Sequence, residues 1–168
     1  MLYEWLADEE SSGSAMGHRL APWTLHLPFE SEEDFAALIF RCEEVERGEN
    51  IGDFSPSSTW WLYDEERDKL IGVTNLRHWL NQKDGQIWGH IGYGIRPSER
   101  RKGYAALALQ AMLTEAKVLG VPAVLLAAYS SNIGSWKTME CCGARFLRTI
   151  LEDPADPNSE IRQYEIAL

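Results

Sequence analysis

Long apolar runs are missing from this chain. None comes near the roughly 18 residues that a membrane-spanning helix needs. The first residues, Met1-Leu2-Tyr3-Glu4-Trp5, lack the basic-then-apolar layout of a secretory leader. A cytoplasmic location without a membrane partner is the resulting expectation. Cysteine is scarce. Cys42, Cys141 and Cys142 form an odd set, no pair has C-x-x-C spacing, and adjacent cysteines rarely bridge. A structural zinc site is unsupported, no metal is expected, and reduced, partly buried thiols are the plain reading. A basic surplus is absent too. The net charge is −10, whereas a generic nucleic-acid binder carries a basic face, so that class is excluded.

What is present suits one domain over residues 1–168, with residues 1–19 left unassigned. The charge is uneven. Residues 1–70 hold 17 acidic and 5 basic side chains, whereas residues 71–168 hold 9 and 11. An acidic first half favours either a cationic acceptor or simply a solvated surface. Seven tryptophans call for pockets or a sheet face to cover them.

Along the chain, residues 7–15 read as a polar loop and residues 20–27 as a short first strand. Ser31 is placed to cap a helix whose first turn holds Glu32, Glu33 and Asp34. Phe35, Leu38, Ile39, Cys42 and Val45 follow at helical spacing, and Gly48 stops them. The period then changes to that of strands. Thr59–Tyr63 and Leu70–Leu76 predict a hairpin closed by a charged turn. An Asp-Gly turn signal in 81–86 precedes a third strand over Ile87–Ile95, ended by Pro97. A helix over Gly103–Leu119 and an apolar strand over Ala123–Tyr129, read as buried on both faces, come next. A short helix over Ile133–Cys142 and two strands, Arg145–Leu151 and Ile161–Ala167, complete the chain. The pattern is α+β, with an antiparallel start, a β-α-β unit and an antiparallel finish.

The stretch with chemistry in it is Ile95-Arg96-Pro97-Ser98-Glu99-Arg100-Arg101-Lys102-Gly103-Tyr104-Ala105. A strand ends, a basic turn follows, and a helix begins. Helix starts leave backbone N–H groups unpaired and carry positive partial charge, which together make an anion site. Gly103 lets phosphate oxygens approach the backbone, and Ala105 keeps the next turn clear. Arg100, Arg101 and Lys102 add positive charge. Glu99 is read as a solvated or capping residue. Other phosphate loops fail on the same residues. No GxxxxGK[ST] string occurs, and Pro97 stands where a dinucleotide fingerprint begun at Gly92 needs its third glycine. An ordinary basic helix start without a ligand is the competing reading of the stretch by itself.

The stretch resembles motif A of the GNAT N-acetyltransferase superfamily, hydrophobic-x-P-x-x-R/Q-x-x-G-x-G/A, with Arg100, Gly103 and Ala105 at its fixed positions. The later chain is similar too: the apolar Leu125–Tyr129, then Asn132, Ser135 and the ending Met139-Glu140-Cys141-Cys142-Gly143-Ala144-Arg145-Phe146. The stretch Ser57-Ser58-Thr59-Trp60-Trp61-Leu62 and the run from Gly89 to Arg100 resemble a bacterial branch of predicted acetyltransferases in this superfamily. This resemblance implies the GNAT fold, a central, mostly antiparallel mixed sheet flanked by helices.

The resemblance also implies a cosubstrate, acetyl-CoA, lying between the third strand and the strand after the long helix. Tyr93, Gly94 and Ile95 would offer backbone bonds to the pantetheine arm. Arg100, Arg101, Lys102, Gly103, Tyr104 and Ala105 would hold the pyrophosphate, and Asn132 and Ser135 would contact the arm from the other wall. A primary amine of a small molecule or a protein would attack the thioester directly. That reaction needs a base, an oxyanion donor and a proton for the departing thiolate. A backbone N–H near Ile95 is the implied oxyanion donor. His90 is the candidate base, with a structural histidine as the alternative, and His78 stands behind it. Many family members have a tyrosine acid where this chain has Met139, so Tyr129 or solvent is left to supply the proton. Trp60, Trp61 and Trp79 either line an acceptor pocket or pack the sheet. An alternative function is a non-catalytic acyl-CoA-binding sensor or partner-binding module. A homodimer is left open.

Overall fold

The computed structural model describes Trp5, Asp8, residues 31–81 and residues 87–168. The strand expected over 20–27 and the Asp-Gly turn lie outside these residues. Helix α1 is Glu32–Arg47. Its start is the Ser31 cap the sequence suggests, and Asp34 makes it reciprocal: Ser31 Oγ accepts from the Asp34 amide at 3.1 Å, and Asp34 Oδ2 accepts from the Ser31 amide at 2.9 Å. Gly48 ends it in the left-handed region, at φ 76°. Of the apolar stripe, Leu38 and Val45 are buried, whereas Phe35 stays exposed.

Strands β1 (Ser57–Asp64), β2 (Lys69–Arg77) and β3 (Ile91–Ile95) form one antiparallel sheet in that order. A single 3-10 turn, Pro97–Glu99, leads to helix α2, Tyr104–Val118. Then come β4 (Ala123–Tyr129), α3 (Ile133–Cys141), β5 (Arg145–Leu151) and β6 (Glu160–Ala167). These last three strands form a second antiparallel sheet, ordered β4-β6-β5. Architecture and element order are those of the α+β acetyltransferase fold that the sequence implied.

The main core lies where α2 and α3 cover the two sheets. Leu76 and Ile91 reach it from the first sheet, Leu109 and Met112 from α2, Leu126 and Tyr164 from the second sheet, and Met139 from α3. Trp5, Leu38, Leu70 and Val73 make a smaller cluster between α1 and β2. Neighbouring tryptophans on β1 therefore serve different layers. Trp60 packs on the main core and Trp61 on the smaller one. Trp79 stays exposed.

Two expectations need correction. The third strand does not run from Ile87, because Gly89 turns the chain at φ 72° and strand geometry begins only at Ile91. Nor is β4 buried on both faces. Val124, Leu126 and Ala128 are buried, but Leu125, Ala127 and Tyr129 alternate with them and are half-covered. Its apolar run reflects one core face plus a second face only partly sheltered.

Gly89 makes the junction between the sheets. It bridges to Leu126, and the His90 amide donates to Leu125 O at 2.7 Å. A Cβ on Gly89 would stand 2.2 Å from Leu125 O, a backbone atom that cannot turn aside. Farther along, the β-ladders of the described residues pair neither β3 nor β4 with the other, and the cleft is the space between these two sheet edges. Among the described residues no helix is long and apolar enough to cross a membrane. Gly89→Ala is expected to destabilise the fold by more than the ~1–3 kcal/mol of left-handed backbone strain, because the clash adds to it. Urea unfolding measures this, and a loss under ~1 kcal/mol would refute the close approach.

Candidate active site

The cleft has two walls. On the β3 side, the Arg96 amide donates to Ile71 O and the Arg77 amide to His90 O. In an antiparallel ladder, residues alternate between pointing their amides at the partner and away from it. That register directs Gly92 and Gly94 at β2, opposite Asn75 and Val73, and turns the main-chain groups of Tyr93 and Ile95 into the cleft. The Ile95 carbonyl is taken by Arg100 Nε at 2.9 Å, while its N–H faces the opening.

The end of this wall is the basic loop. Arg101 has φ 65° and Gly103 φ 87°, two left-handed residues separated by Lys102. Gly103 is the N-cap of α2, so the cap residue has no side chain to bond the first-turn amides, and the first turn carries no acid. A Cβ at Gly103 would meet nothing within 4 Å, so the glycine faces open space. The first-turn N–H groups of Tyr104 and Ala105 thus follow directly on the basic Arg100–Lys102 turn, the combination an anion requires.

Glu99, read in the sequence as a solvated or capping residue, is 2% exposed. Lys69 Nζ lies 2.7 Å and Lys102 Nζ 3.0 Å from its carboxylate, and Arg67 Nη1 spans both oxygens at 3.1 and 3.2 Å. The bond from Lys69, with help from Lys102 and Arg67, pulls its carboxyl down to about 2. The sequence hid this because residues 67, 69 and 99 meet only once β1, β2 and β3 are in register. On the turn's other flank, Asp8 accepts from Arg96 and Ser98.

The opposite wall is the start of α3. Asn132 caps it, its Oδ1 accepting from the Ser135 amide at 3.2 Å. The Tyr93 hydroxyl reaches across, 3.1 Å from Ser135 O, to which it donates, and 3.0 Å from Ser135 Oγ. Burial pushes the Tyr93 phenol up to about 12, so it stays protonated. The structure therefore joins Tyr93 to Ser135 directly. Met139 is 1% exposed in the core and offers no donor to the cleft.

His90 and Tyr129 have separate partners. His90 Nδ1 accepts from the Leu125 amide at 3.0 Å, which places the proton of the neutral ring on Nε2. Tyr129 donates to Glu152, and the Trp88 ring meets it edge-on at 5.5 Å. His78 Nε2 lies 2.8 Å from Ser58 Oγ, which donates to Glu46. Burial raises the thiols of Cys42 and Cys142 above their ordinary range. Among the described residues no group of three or more His, Cys, Asp or Glu could hold a metal.

This arrangement of split sheets, an uncapped helix start and a basic turn coincides with a family match. The model of the acetyltransferase (GNAT) domain matches residues 1–145. The chain belongs to the GNAT acetyltransferase family. Among curated proteins, none matches the sequence. Solved structures share the fold of this acetyltransferase. The ribosomal-protein-S5-alanine acetyltransferase from Vibrio fischeri has TM-score 0.67 at 16% identity, covering 99% of this chain and 85% of its own. RimL, a ribosomal L7/L12 alpha-N-protein acetyltransferase solved with coenzyme A, has TM-score 0.67 at 12% identity, covering 99% and 86%. A mutant of the spermidine N-acetyltransferase SpeG from Vibrio cholerae has TM-score 0.61 at 15% identity, covering 99% and 91%.

Burial lowers the pKa of His90, outweighing the Leu125 contact. A histidine depressed in the folded state contributes full stability above its unfolded value near 6.5, and stability falls as pH drops from there toward the folded value. NMR titration is expected to give His90 a midpoint below 6.5 and an unprotonated Nδ1 at neutral pH. A midpoint above 6.5 would contradict its pinned, neutral state.

Proposed function

We propose that this acetyltransferase takes its acetyl group from acetyl-CoA and passes it to a primary amine by direct attack. The observation that carries the reading is the uncapped start of α2. First-turn amides, a left-handed Gly103 facing open space and the Arg100–Lys102 run fit a pyrophosphate. Bound there, acetyl-CoA would supply an activated thioester. The protein's own contribution is position and electrostatics.

Tyr104 and Ala105 would bind the pyrophosphate through main-chain N–H groups, with Arg101 adding charge. The cleft-facing groups of Tyr93 would hold the pantetheine arm, and the free Ile95 N–H would stabilise the oxyanion. Gly94 contributes by its small size, since its main-chain groups face β2. Asn132 and Ser135 form the far wall. His90, with Nδ1 committed to Leu125, has an Nε2–H to donate, so it serves as a donor or strap at the junction. Tyr129, already donating to Glu152, is a protonated group on the partly sheltered face of β4. Protonation of the thiolate falls to it or to solvent, since a thiol's own pKa lies near 8.5.

The neighbours acetylate a polyamine or ribosomal-protein amines, and an amine acceptor, small or protein-borne, is the class proposed here. Gly103 separates this reading from an acyl-CoA sensor only in part, so two measurements serve. Gly103→Ala is expected to weaken acetyl-CoA binding modestly, at the ~1 kcal/mol scale of a left-handed backbone. Gly103→Glu is expected to abolish it, because a carboxylate would meet the phosphates. Calorimetry showing equal affinity for wild type and Gly103→Glu would refute the site. Release of free CoA thiol with an amine panel identifies turnover, whereas tight binding without release from any amine contradicts catalysis.

A further inference from the structure

We propose that Glu99 is the positioning residue of the phosphate loop, tying Lys102 and, through Arg67, Tyr104 to the β1–β2 hairpin so that the loop keeps its anion-ready shape. The inference rests on the reading of Arg100–Ala105 as the acetyl-CoA phosphate site.

The loop needs such an anchor. Arg101 holds φ 65° without being glycine, a strained backbone state for a residue with a Cβ, and Gly103 follows at φ 87°. Left to itself, a short exposed segment would relax out of this conformation. Three side-chain ties hold it. Arg100 bonds Ile95 O, Lys102 bonds Glu99, and the Tyr104 hydroxyl accepts from Arg67 Nη2 at 3.1 Å. Glu99 takes part in two of them, directly at Lys102 and through Arg67 at Tyr104. Arg67 is fixed in turn by Asp64, with Nε 2.7 Å from Oδ2, and Lys69 binds Glu99 from the same hairpin.

Charge alone would not put a carboxylate here. Beside an anion site, a buried acid opposes the ligand electrostatically. Its place is explained by what it holds. Arg67, Lys69 and Lys102 converge on one buried group, which offsets part of their mutual repulsion and ties the loop to the hairpin. After Glu99 and Asp64 are counted, these three cations with Arg100 and Arg101 still leave the cluster positive. Glu99 therefore gives up some attraction for phosphate in exchange for geometry.

Glu99→Gln tests this because three explanations predict different results. If Glu99 positions the loop, its Kd for CoA and its KM for acetyl-CoA rise about tenfold or more while kcat stays within about twofold. If Glu99 acts only through its charge, CoA binds more tightly, which overturns the proposal. If Glu99 only stabilises the fold, Tm falls with Kd unchanged, which also overturns it. Should Glu99→Gln melt below the assay temperature, Glu99→Asp carries the test. It keeps the charge but withdraws the carboxylate by one methylene, and the same rise in Kd is expected, whereas an unchanged Kd overturns the proposal. Wild-type protein that binds no CoA would instead refute the phosphate site itself, and the proposal with it.

Discussion

The junction at Gly89–His90 against Leu125–Leu126 organises the molecule. Two three-stranded sheets, each with its own ladders, touch there and then part. A side chain at Gly89 would strike the Leu125 carbonyl, so the approach depends on its being glycine. His90 reinforces the contact twice, through its amide and through Nδ1. Because the sheets are joined at one end, β3 has, among the described residues, no ladder partner on the side of β4. Unpaired backbone of this kind is costly in a core and useful in a site. The cleft is thus a direct result of how the sheets meet.

Around it the functional parts divide the work. The loop after β3 gathers first-turn amides and basic side chains, and Glu99 holds that loop against the hairpin. The α3 start supplies Asn132 and Ser135, the latter latched to Tyr93 across the opening. The two apolar clusters lie on opposite faces of the first sheet, so Trp60 and Trp61 are committed to packing on different sides. The family supplies the chemistry that such a cleft performs, and on the partly sheltered face of β4 Tyr129 meets Glu152 and Trp88.

Local signals were legible in the sequence. Ser31 with Asp34, Gly48, Pro97, Gly103 and Gly143 each impose a backbone state within a few residues, and each marks a boundary near where the structure has it. Motif A, read at Arg100, Gly103 and Ala105, gave the family and the loop. Long-range pairing was not legible. Glu99 looked like a solvated or capping acid because its partners at Arg67 and Lys69 come from a hairpin some 30 residues earlier. His90 stood open between a base and a structural histidine because nothing in sequence ties it to Leu125, 35 residues on. Gly89 looked like a strand residue because its positive φ follows from a contact with β4. In each case the deciding partner is distant in the chain.

The most direct test of the central claim, that the start of α2 receives the CoA pyrophosphate, is a backbone amide NMR titration with CoA. The account predicts the largest shifts at Arg101 to Ala105, with a second set at Tyr93, Ile95, Asn132 and Ser135. Shifts absent from residues 101–105 while CoA binds elsewhere would contradict it.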